Sequence, residues 1–296
     1  MNIVIVGPGA IGSLWATHLH QAGHQVALWG TQNTTHWSLQ CDEQPKLNFA
    51  YNQPDTLHRA DLLLITVKAW QVASALPALL EQIADETILL FMHNGMGALD
   101  DLSDRLAPYP VLLSTTTHGA LKPAPDKVLH TGQGQTQIGP FNAQGARCEF
   151  VCDVLQHALP QVSWNQHIEH ALWQKLAINC AINPLTAIEQ ISNGELADPR
   201  YRARLDSIIA EVAAVMRAEH IPVDQHSLRA TVDLVIAATA RNRSSMHQDV
   251  VHQRQTEIDF INGYVVRKAQ QHGLAVPVNQ QLYQHIQSLQ QSWTQA

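Results

Sequence analysis

Short runs of apolar and β-branched residues recur through the first half of the chain, and each run ends in glycine or polar residues. The runs that predict strands are Asn2–Val6, Gln25–Trp29, 61–67, 87–92 and 111–115. Continuous apolar runs of this length are typical of strands buried on both faces of a parallel sheet. A stretch with helical periodicity, residues 69–84, separates two of the runs. The pattern therefore predicts an α/β fold with an open, doubly wound sheet, whose ligand crevice lies at the carboxyl ends of the strands.

The pattern changes further along the chain. Residues 127–138 alternate between apolar and polar positions, which predicts antiparallel strands on the sheet edge, and residues 162–164 predict a last strand. From about residue 166 helical periodicity dominates. The predicted helices are 168–183, 184–189, 199–219, 224–239, 246–252, 257–272 and a last one after Pro277. We therefore predict two domains, an N-terminal α/β domain at residues 1–166 and a C-terminal all-helical domain at residues 167–296.

A glycine-rich turn joins the first predicted strand to a predicted helix, and its sequence is Gly7-Pro8-Gly9-Ala10-Ile11-Gly12. Gly7 allows a tight turn, Gly9 lets the backbone come close to a pyrophosphate, and Gly12 lets the helix lie against the strand. The helix N-terminus offers free N–H groups to the anion. In this strand–turn–helix context the motif predicts a dinucleotide-binding site.

The end of the second predicted strand bears on the choice between the two nicotinamide cofactors. Sites for NAD place an acidic residue there, on the ribose 2′-hydroxyl. This chain has Gly30-Thr31-Gln32-Asn33-Thr34 instead, with no carboxylate to repel a 2′-phosphate. The turn also lacks an arginine, the usual bidentate partner of a phosphate. We therefore expect NADP(H), with Thr31 at the 2′-phosphate.

Lys175, Asn179 and Asn183 follow one another at intervals of four residues in an otherwise apolar helical segment. Four residues advance about 400° around a helix, so the three side chains share one stripe. One cation and two amides among apolar neighbours indicate a stripe that faces a cleft wall. The alternative is a snorkelling surface lysine with two asparagines that bond to nearby backbone.

Composition excludes several classes of partner. The chain has 296 residues and a net charge of −7 with neutral histidines, which argues against nucleic acid and anionic membrane surfaces. No apolar stretch approaches the twenty residues of a membrane span, and no secretory signal precedes the first strand, so we expect a cytoplasmic protein. The four cysteines are irregularly spaced and the 17 histidines lack paired ligand spacings. We therefore expect reduced thiols and no metal site.

Strings from the whole chain resemble ketopantoate reductases (2-dehydropantoate 2-reductases), the NADPH-dependent enzymes of pantothenate synthesis. The strings are the glycine turn, Lys68-Ala69-Trp70-Gln71-Val72, His93-Asn94-Gly95-Met96-Gly97, residues 175–187, Asn193-Gly194-Glu195-Leu196, Ser244-Ser245-Met246 and residues 256–263. The resemblance implies a Rossmann-type domain, a helical domain, and an active site in the cleft between them. One departure is Thr31, which stands where family members often have an arginine for the 2′-phosphate.

The resemblance also implies roles for single residues. Lys175 is the implied catalytic lysine, and Asn94, Asn179, Asn183 and Ser245 are implied to contact or position the substrate. The implied cofactor contacts are Lys68, Asn94 and Glu257. Ala120 follows the end of a predicted strand, where we also expect a cofactor contact. For Asn193 the turn role and a substrate contact stay open.

Reduction of a 2-keto acid needs a hydride at the carbonyl carbon and a proton at the developing alkoxide. We expect the Lys175 ammonium, partly desolvated, to have a lowered pKa and to donate that proton. Glu257 either balances this charge or bonds a ribose, or is only an acid at a helix start. Two alternatives remain open: another branched 2-keto acid as substrate, and a sensor that binds NADP(H) without turnover. A monomer and a homodimer are both compatible with the sequence.

Overall fold

The computed structural model describes residues 1–293, and its contacts divide the chain into two compact units. The first unit contains Met1–His93 and Leu99–Ile168. The second contains Asn94–Ala98 and residues 169–293. The first is an α/β unit and the second is helical, so the predicted fold class is confirmed. The segment Asn94–Ala98 therefore packs with the second unit, although the residues before and after it in the sequence belong to the first.

Eleven strands of the described residues form the sheet of the first unit. They are β1 (Asn2–Val6), β2 (Gln25–Trp29), β3 (His36–Cys41), β4 (Leu47–Tyr51), β5 (Leu62–Ile65), β6 (Ile88–Phe91), β7 (Val111–Thr116), β8 (Gly119–Ala124), β9 (Lys127–Gly132), β10 (Thr136–Pro140) and β11 (Val162–Trp164). Their order across the sheet is β11-β10-β7-β6-β5-β1-β2-β4-β3-β9-β8.

The centre of the sheet is parallel, from β7 through β6, β5, β1 and β2 to β4. All residues of β5 and β6 are buried, as the continuous apolar runs predict. From β1 the chain proceeds to β2 on one side, and β5 lies on the other side. The strand order therefore reverses between β1 and β5, and ligands of such sheets bind at the carboxyl ends of the strands at this point.

The strands predicted for residues 127–138 do not form one edge pair. β9 lies near one end of the sheet, antiparallel to β8, whereas β10 lies near the other end, antiparallel to β7 and parallel to β11. The residues between β9 and β10 therefore connect opposite sides of the sheet. The sequence pattern also missed β3 and β4. Strand β4 pairs with β2 in parallel, and β3 pairs with β4 in the antiparallel direction.

Eleven α-helices complete the described part of the chain. They are α1 (Ala10–Gln21), α2 (Pro54–His58), α3 (Ala69–Leu80), α4 (Ser103–Leu106), α5 (Val151–Ala158), α6 (Ile168–Glu189), α7 (Arg202–Ala218), α8 (Gln225–Ala238), α9 (Ser245–Val251), α10 (Asn262–Gln271) and α11 (Pro277–Trp293). Within residues 1–293, no helix combines the length and apolar character needed to cross a membrane.

Helix α6 continues through Pro184, although the sequence predicts a break there. Proline lacks an N–H group, so the carbonyl of Cys180, four residues earlier, loses its helical donor. Asn262 Nδ2 replaces that donor at 3.3 Å from Cys180 O, and its second hydrogen bond goes to Asn279 Oδ1 at 3.0 Å. Both asparagines are fully buried. A side chain of α10 therefore supplies the hydrogen bond that lets α6 run as one helix.

Candidate functional site

The glycine turn follows β1 and has the geometry that its sequence predicts. Gly7 has a φ of 85°, and a Cβ there would lie 2.5 Å from Val67 Cγ1. Thr66, which follows β5, donates from Oγ1 to Gly7 O at 2.7 Å. Thr66 thus ties the turn after β1 to the end of β5, at the point where the strand order reverses. The sequence analysis did not single out Thr66, whose only signal is its place after a buried strand.

The start of α1 fits a pyrophosphate group. Gly9 is the N-cap of α1, and since glycine has no side chain, the N–H groups of the first turn receive no side-chain cap. A Cβ at Gly9 would meet only Gly7 O, at 3.9 Å, so the space beside this backbone is open. A Cβ at Gly12 would instead overlap Thr66 Oγ1 and lie 2.5 Å from Gly7 O. Ala10 and Ile11 are half-buried between them. An anion therefore has both access and donors here.

The turn after β2 is held by an asparagine that the sequence analysis missed. Asn52 Oδ1 accepts from Gly30 N at 2.8 Å, and its Nδ2 donates to Gly30 O and Gln32 O, both at 2.9 Å. Asn52 has a φ of 49°, a conformation that asparagine tolerates better than most residues. Thr31 lies in this turn and is exposed. The backbone of the turn is thus fixed while the Thr31 side chain faces solvent.

Two further predicted cofactor residues lie in the first unit. Lys68 is half-buried and is the N-cap of α3, where its backbone N–H donates to Gln71 Oε1 at 3.0 Å. Ala120 is half-buried near the start of β8. Lys68 follows β5 closely and the glycine turn follows β1, so both lie at the carboxyl ends of these parallel strands. The third, Asn94, belongs to the second unit.

Two glycines let the segment around Asn94 pack closely within the second unit. Gly95 and Gly97 have φ values of 81° and 88°, and their Cα atoms face Phe260 and Tyr264 so closely that a Cβ would collide. Met96 N donates to Phe260 O at 2.8 Å. Asn94 Nδ2 donates to Glu257 Oε2 at 3.3 Å. The glycines of this string therefore position Asn94 beside Glu257.

Lys175 is half-buried on α6, and Gln174 beside it is exposed. Burial lowers the pKa of the Lys175 ammonium to about 8, and the negative charge of Glu257 opposes this shift. A snorkelling lysine keeps its ammonium in bulk water and has no such lowering. The lowered pKa is therefore that of a desolvated ammonium and not that of a snorkelling lysine.

Glu257 is buried, with 4% of its surface exposed. It precedes a short 3₁₀ turn, Ile258–Phe260, rather than standing in the first turn of a long helix as the sequence pattern indicates. A buried carboxylate needs a cation or hydrogen bonds to offset the loss of hydration. Asn94 and Lys175 supply these, so three residues from distant parts of the sequence act on one another.

Two asparagines of the predicted substrate set have buried polar atoms with no hydrogen-bond partner among the described residues, namely Asn179 Nδ2 and Asn193 Oδ1. Asn193 Nδ2 donates to Thr239 Oγ1 at 2.9 Å, which fixes its orientation. Buried polar atoms of native proteins are paired in the great majority of cases. One donor and one acceptor of this set are thus buried with unused hydrogen-bonding capacity. Asn183 is also buried, with 6% exposed.

Ser245 is exposed at the first position of α9, whereas Ser244 before it is buried. Ser244 Oγ accepts from His247 N at 3.0 Å, which makes Ser244 the N-cap of α9, and it also bonds to Thr186 Oγ1 at 2.8 Å. Thr186 lies on α6. The Ser244 cap therefore joins α9 to the helix that carries Lys175.

The described residues contain no group of three or more His, Cys, Asp or Glu side chains suited to a metal ion. The parallel sheet with the glycine turn at its reversal point defines a Rossmann-type dinucleotide-binding unit, and the helical unit carries Lys175. Family models described as ketopantoate reductase PanE/ApbA match residues 3–143, and the C-terminal model of the same family matches residues 167–290. The chain belongs to the ketopantoate reductase family.

Individual relatives support this assignment. A protein named 2-dehydropantoate 2-reductase from Vibrio cholerae serotype O1 is 60% identical and covers 100% of both chains. A protein of the same name from Escherichia coli O157:H7 is 41% identical over 97% of this chain and 94% of its own. A crystal structure of a PanE/ApbA family ketopantoate reductase from Ralstonia eutropha JMP134 has a TM-score of 0.88, 27% identity and 99% coverage of each chain.

Proposed function

We propose that the protein reduces 2-dehydropantoate (ketopantoate) to (R)-pantoate with NADPH, in the cytoplasmic synthesis of pantothenate and coenzyme A. The names of its relatives support the substrate. The observation that carries the chemistry is the Lys175 ammonium, whose pKa burial lowers to about 8 on a helix whose other polar side chains at this face are amides. A proton donor with a pKa close to the working pH suits general acid catalysis.

NADPH supplies the hydride for the C2 carbonyl carbon of the substrate. The chain's own task is to place the two reactants and to protonate the oxygen. Gly7, Gly9 and Gly12 keep the backbone N–H groups at the start of α1 open to the pyrophosphate. The end of β2 has no carboxylate to repel a 2′-phosphate, and Thr31 offers it a hydroxyl. Lys68, Asn94 and Ala120 are the further proposed contacts to this cofactor.

The Lys175 ammonium donates a proton to the carbonyl oxygen as the C–O bond becomes a single bond, and Lys175 is left as a neutral amine. Before that step its positive charge stabilises the negative charge that develops on the oxygen. Glu257 favours the charged form of the lysine, which keeps the donor protonated near neutral pH. Asn94 donates to Glu257 and so holds the carboxylate in place.

Neutral groups orient the substrate. Asn179 Nδ2 donates to an oxygen of ketopantoate, and Asn193 Oδ1 accepts from its hydroxyl, because both atoms are buried without another partner among the described residues. Asn183 and Ser245 complete the proposed substrate contacts. A site of amides and one cation binds a hydroxy keto acid without placing like charges together.

Substitutions of two asparagines distinguish a loss of substrate binding from a loss of stability. Asn179→Ala is expected to raise KM for ketopantoate about tenfold, since a hydrogen bond to a charged or polar ligand group is lost. The same change leaves the free energy of unfolding within about 1 kcal/mol, because Asn179 Nδ2 has no partner among residues 1–293 and alanine favours helix. Steady-state kinetics and urea denaturation measure the two effects.

Asn262→Ala is the matched control with the opposite expected result. It leaves Cys180 O and Asn279 Oδ1 buried without this donor, which costs about 1–3 kcal/mol for each group. We expect a clear loss of stability for Asn262→Ala and none for Asn179→Ala. Equal losses of stability from both changes would show that Asn179 is a packing residue rather than a substrate contact.

The reaction itself is tested by the absorbance of NADPH after addition of ketopantoate, with 2-ketoisovalerate and NADH in parallel assays. The proposal predicts fastest loss of absorbance with NADPH and ketopantoate. Faster turnover of another branched 2-keto acid would reassign the substrate. Tight NADPH binding without turnover of any acid would favour a sensor.

A further inference from the structure

A lysine outside the proposed cofactor contacts lies against the glycine turn. Lys122 is half-buried on β8, and its Nζ donates to Pro8 O at 2.5 Å and to Ser13 Oγ at 3.1 Å. Ser13, in the first turn of α1, also donates to Pro8 O at 3.0 Å. Lys122 and Ser13 therefore fix the Pro8 carbonyl from two sides, and with it the peptide that leads into Gly9.

The charge of Lys122 is not neutralised by these contacts, since both hydrogen-bond partners are neutral. The carboxylate that acts on it most, Asp126, is exposed and bonds to Lys46 at 2.6 Å. The start of α1 carries the positive end of the helix dipole, which disfavours a cation and favours an anion. Burial lowers the pKa of the Lys122 ammonium, as expected for a cation in a poorly hydrated place. Two positive features therefore meet at this turn, and no carboxylate of residues 1–293 is hydrogen-bonded to the lysine.

Pro8 also contacts the end of β2. A Cβ at Gly30 would lie 3.2 Å from Pro8 Cδ, so the turn that contains Thr31 begins next to Pro8. Residues 30–35 contain no lysine or arginine. A phosphate at either the glycine turn or the end of β2 therefore lies in the field of the same Lys122 charge.

We propose that Lys122 is a positioning residue of the dinucleotide site, which fixes the Pro8 peptide and supplies the positive charge that the phosphate groups of the cofactor require. This inference rests on the proposed function, because it assigns a role toward NADPH. It explains how a cation can be retained beside a helix N-terminus. The bound phosphates are the anions that both the helix and the lysine favour.

The experiment is equilibrium titration of the full chain with NADPH and with NADH, at two ionic strengths and without substrate. Lys122→Met removes the charge, and Lys122→Arg keeps it. Lys127→Met is the matched control, because Lys127 lies on the next strand of the same hairpin and pairs with Glu43 at 3.1 Å. We expect Lys122→Met to raise Kd for NADPH about tenfold or more, and Lys122→Arg and Lys127→Met to stay within about threefold of the parent.

The Kd values for NADPH and NADH show which phosphate of the cofactor interacts with Lys122. An equal loss for NADPH and NADH assigns Lys122 to the pyrophosphate, and a larger loss for NADPH assigns it to the 2′-phosphate. In both cases Kd of the Met variant depends less on ionic strength than Kd of the parent. If Lys122→Met does not fold, Lys122→Gln, which keeps a donor without charge, takes its place against Lys122→Arg.

Equal Kd values for the parent and the uncharged variant would overturn the inference about Lys122 and leave the proposed function intact. A parent chain that binds neither dinucleotide would instead contradict the proposed function. The two failures are thus distinguishable in one set of titrations.

Discussion

Replacing Lys175 with alanine is expected to lower kcat for ketopantoate reduction by about 10²- to 10⁴-fold, the range for loss of a general acid that also stabilises developing charge. The binding of NADPH should change little, because the lysine acts on the substrate oxygen. Lys175→Met is a companion variant that keeps the volume of the side chain without the charge. Stopped-flow single turnovers, with the protein saturated by NADPH and in excess over ketopantoate, measure the chemical step separately from product release.

Gln174→Ala is the matched control for this result. Gln174 precedes Lys175 on α6 and is exposed, so its loss should leave kcat within about twofold. Turnover of ketopantoate by Lys175→Ala at close to the parent rate would show that another group, or water, protonates the oxygen. The role of the low-pKa lysine would then be limited to binding.

Gly12→Ala is expected to weaken NADPH binding about 10²-fold. The new Cβ would overlap Thr66 Oγ1 and lie 2.5 Å from Gly7 O, and Gly7 belongs to the turn that must approach the pyrophosphate. Helix α1 must then move away from β1 and β5, which displaces the N–H groups at its start. A misplacement of about 1 Å has effects of this size on bound ligands and reactants. Fluorescence titration of NADPH measures the loss.

Gly23→Ala is the control for a glycine change as such. Gly23 has a φ of 89°, so alanine is strained there, but no atom of the described residues lies within 4 Å of the added Cβ. This variant should lose some stability while its Kd for NADPH stays near the parent value. If both alanine variants bind NADPH equally well, the glycine turn is not where the pyrophosphate binds.

The glycine turn and the buried strands were predictable because their signals are local. Each of the strands around β1 is a continuous apolar run, and the turn residues stand next to one another in the sequence. The strand β3 was missed because polar residues stand at alternate positions, and β4 because Asn48 interrupts its apolar run. The alternation of Trp37, Leu39 and Cys41 is a signal of a half-buried strand that could have found β3.

The single helix α6 could not be predicted from the segment around Pro184 alone. Proline normally ends a helix, and the donor that compensates for the missing N–H is Asn262, 82 residues beyond Cys180. The same limit applies to Glu257 and Asn94, which are 163 residues apart and meet through the close packing of Gly95 on Phe260. The resemblance to known reductases indicated both residues, but the periodicity of the sequence could not predict that they contact each other.

The stripe of Lys175, Asn179 and Asn183 illustrates what a pattern does predict. Spacing by four placed the three on one face of α6, and the structure shows all three half-buried or buried. Spacing did not reveal which amide atoms lack partners, or that a buried carboxylate acts on the lysine. The charge that acts on the lysine depends on Glu257 and Asn94, which lie far from Lys175 in the sequence.

The pH dependence of kcat/KM for ketopantoate, at saturating NADPH, tests most directly whether the Lys175 ammonium is the proton donor. The pKa of about 8 belongs to the protein without ligands, and kcat/KM at saturating NADPH reports groups of the NADPH-bound protein before ketopantoate binds. Only the protonated lysine can donate, so kcat/KM should be level near pH 7 and fall about tenfold per pH unit above about pH 8. In Glu257→Gln the fall should begin at lower pH, because the charge that raises the lysine pKa is gone. A value of kcat/KM that stays constant to about pH 10 in the parent protein would contradict the account.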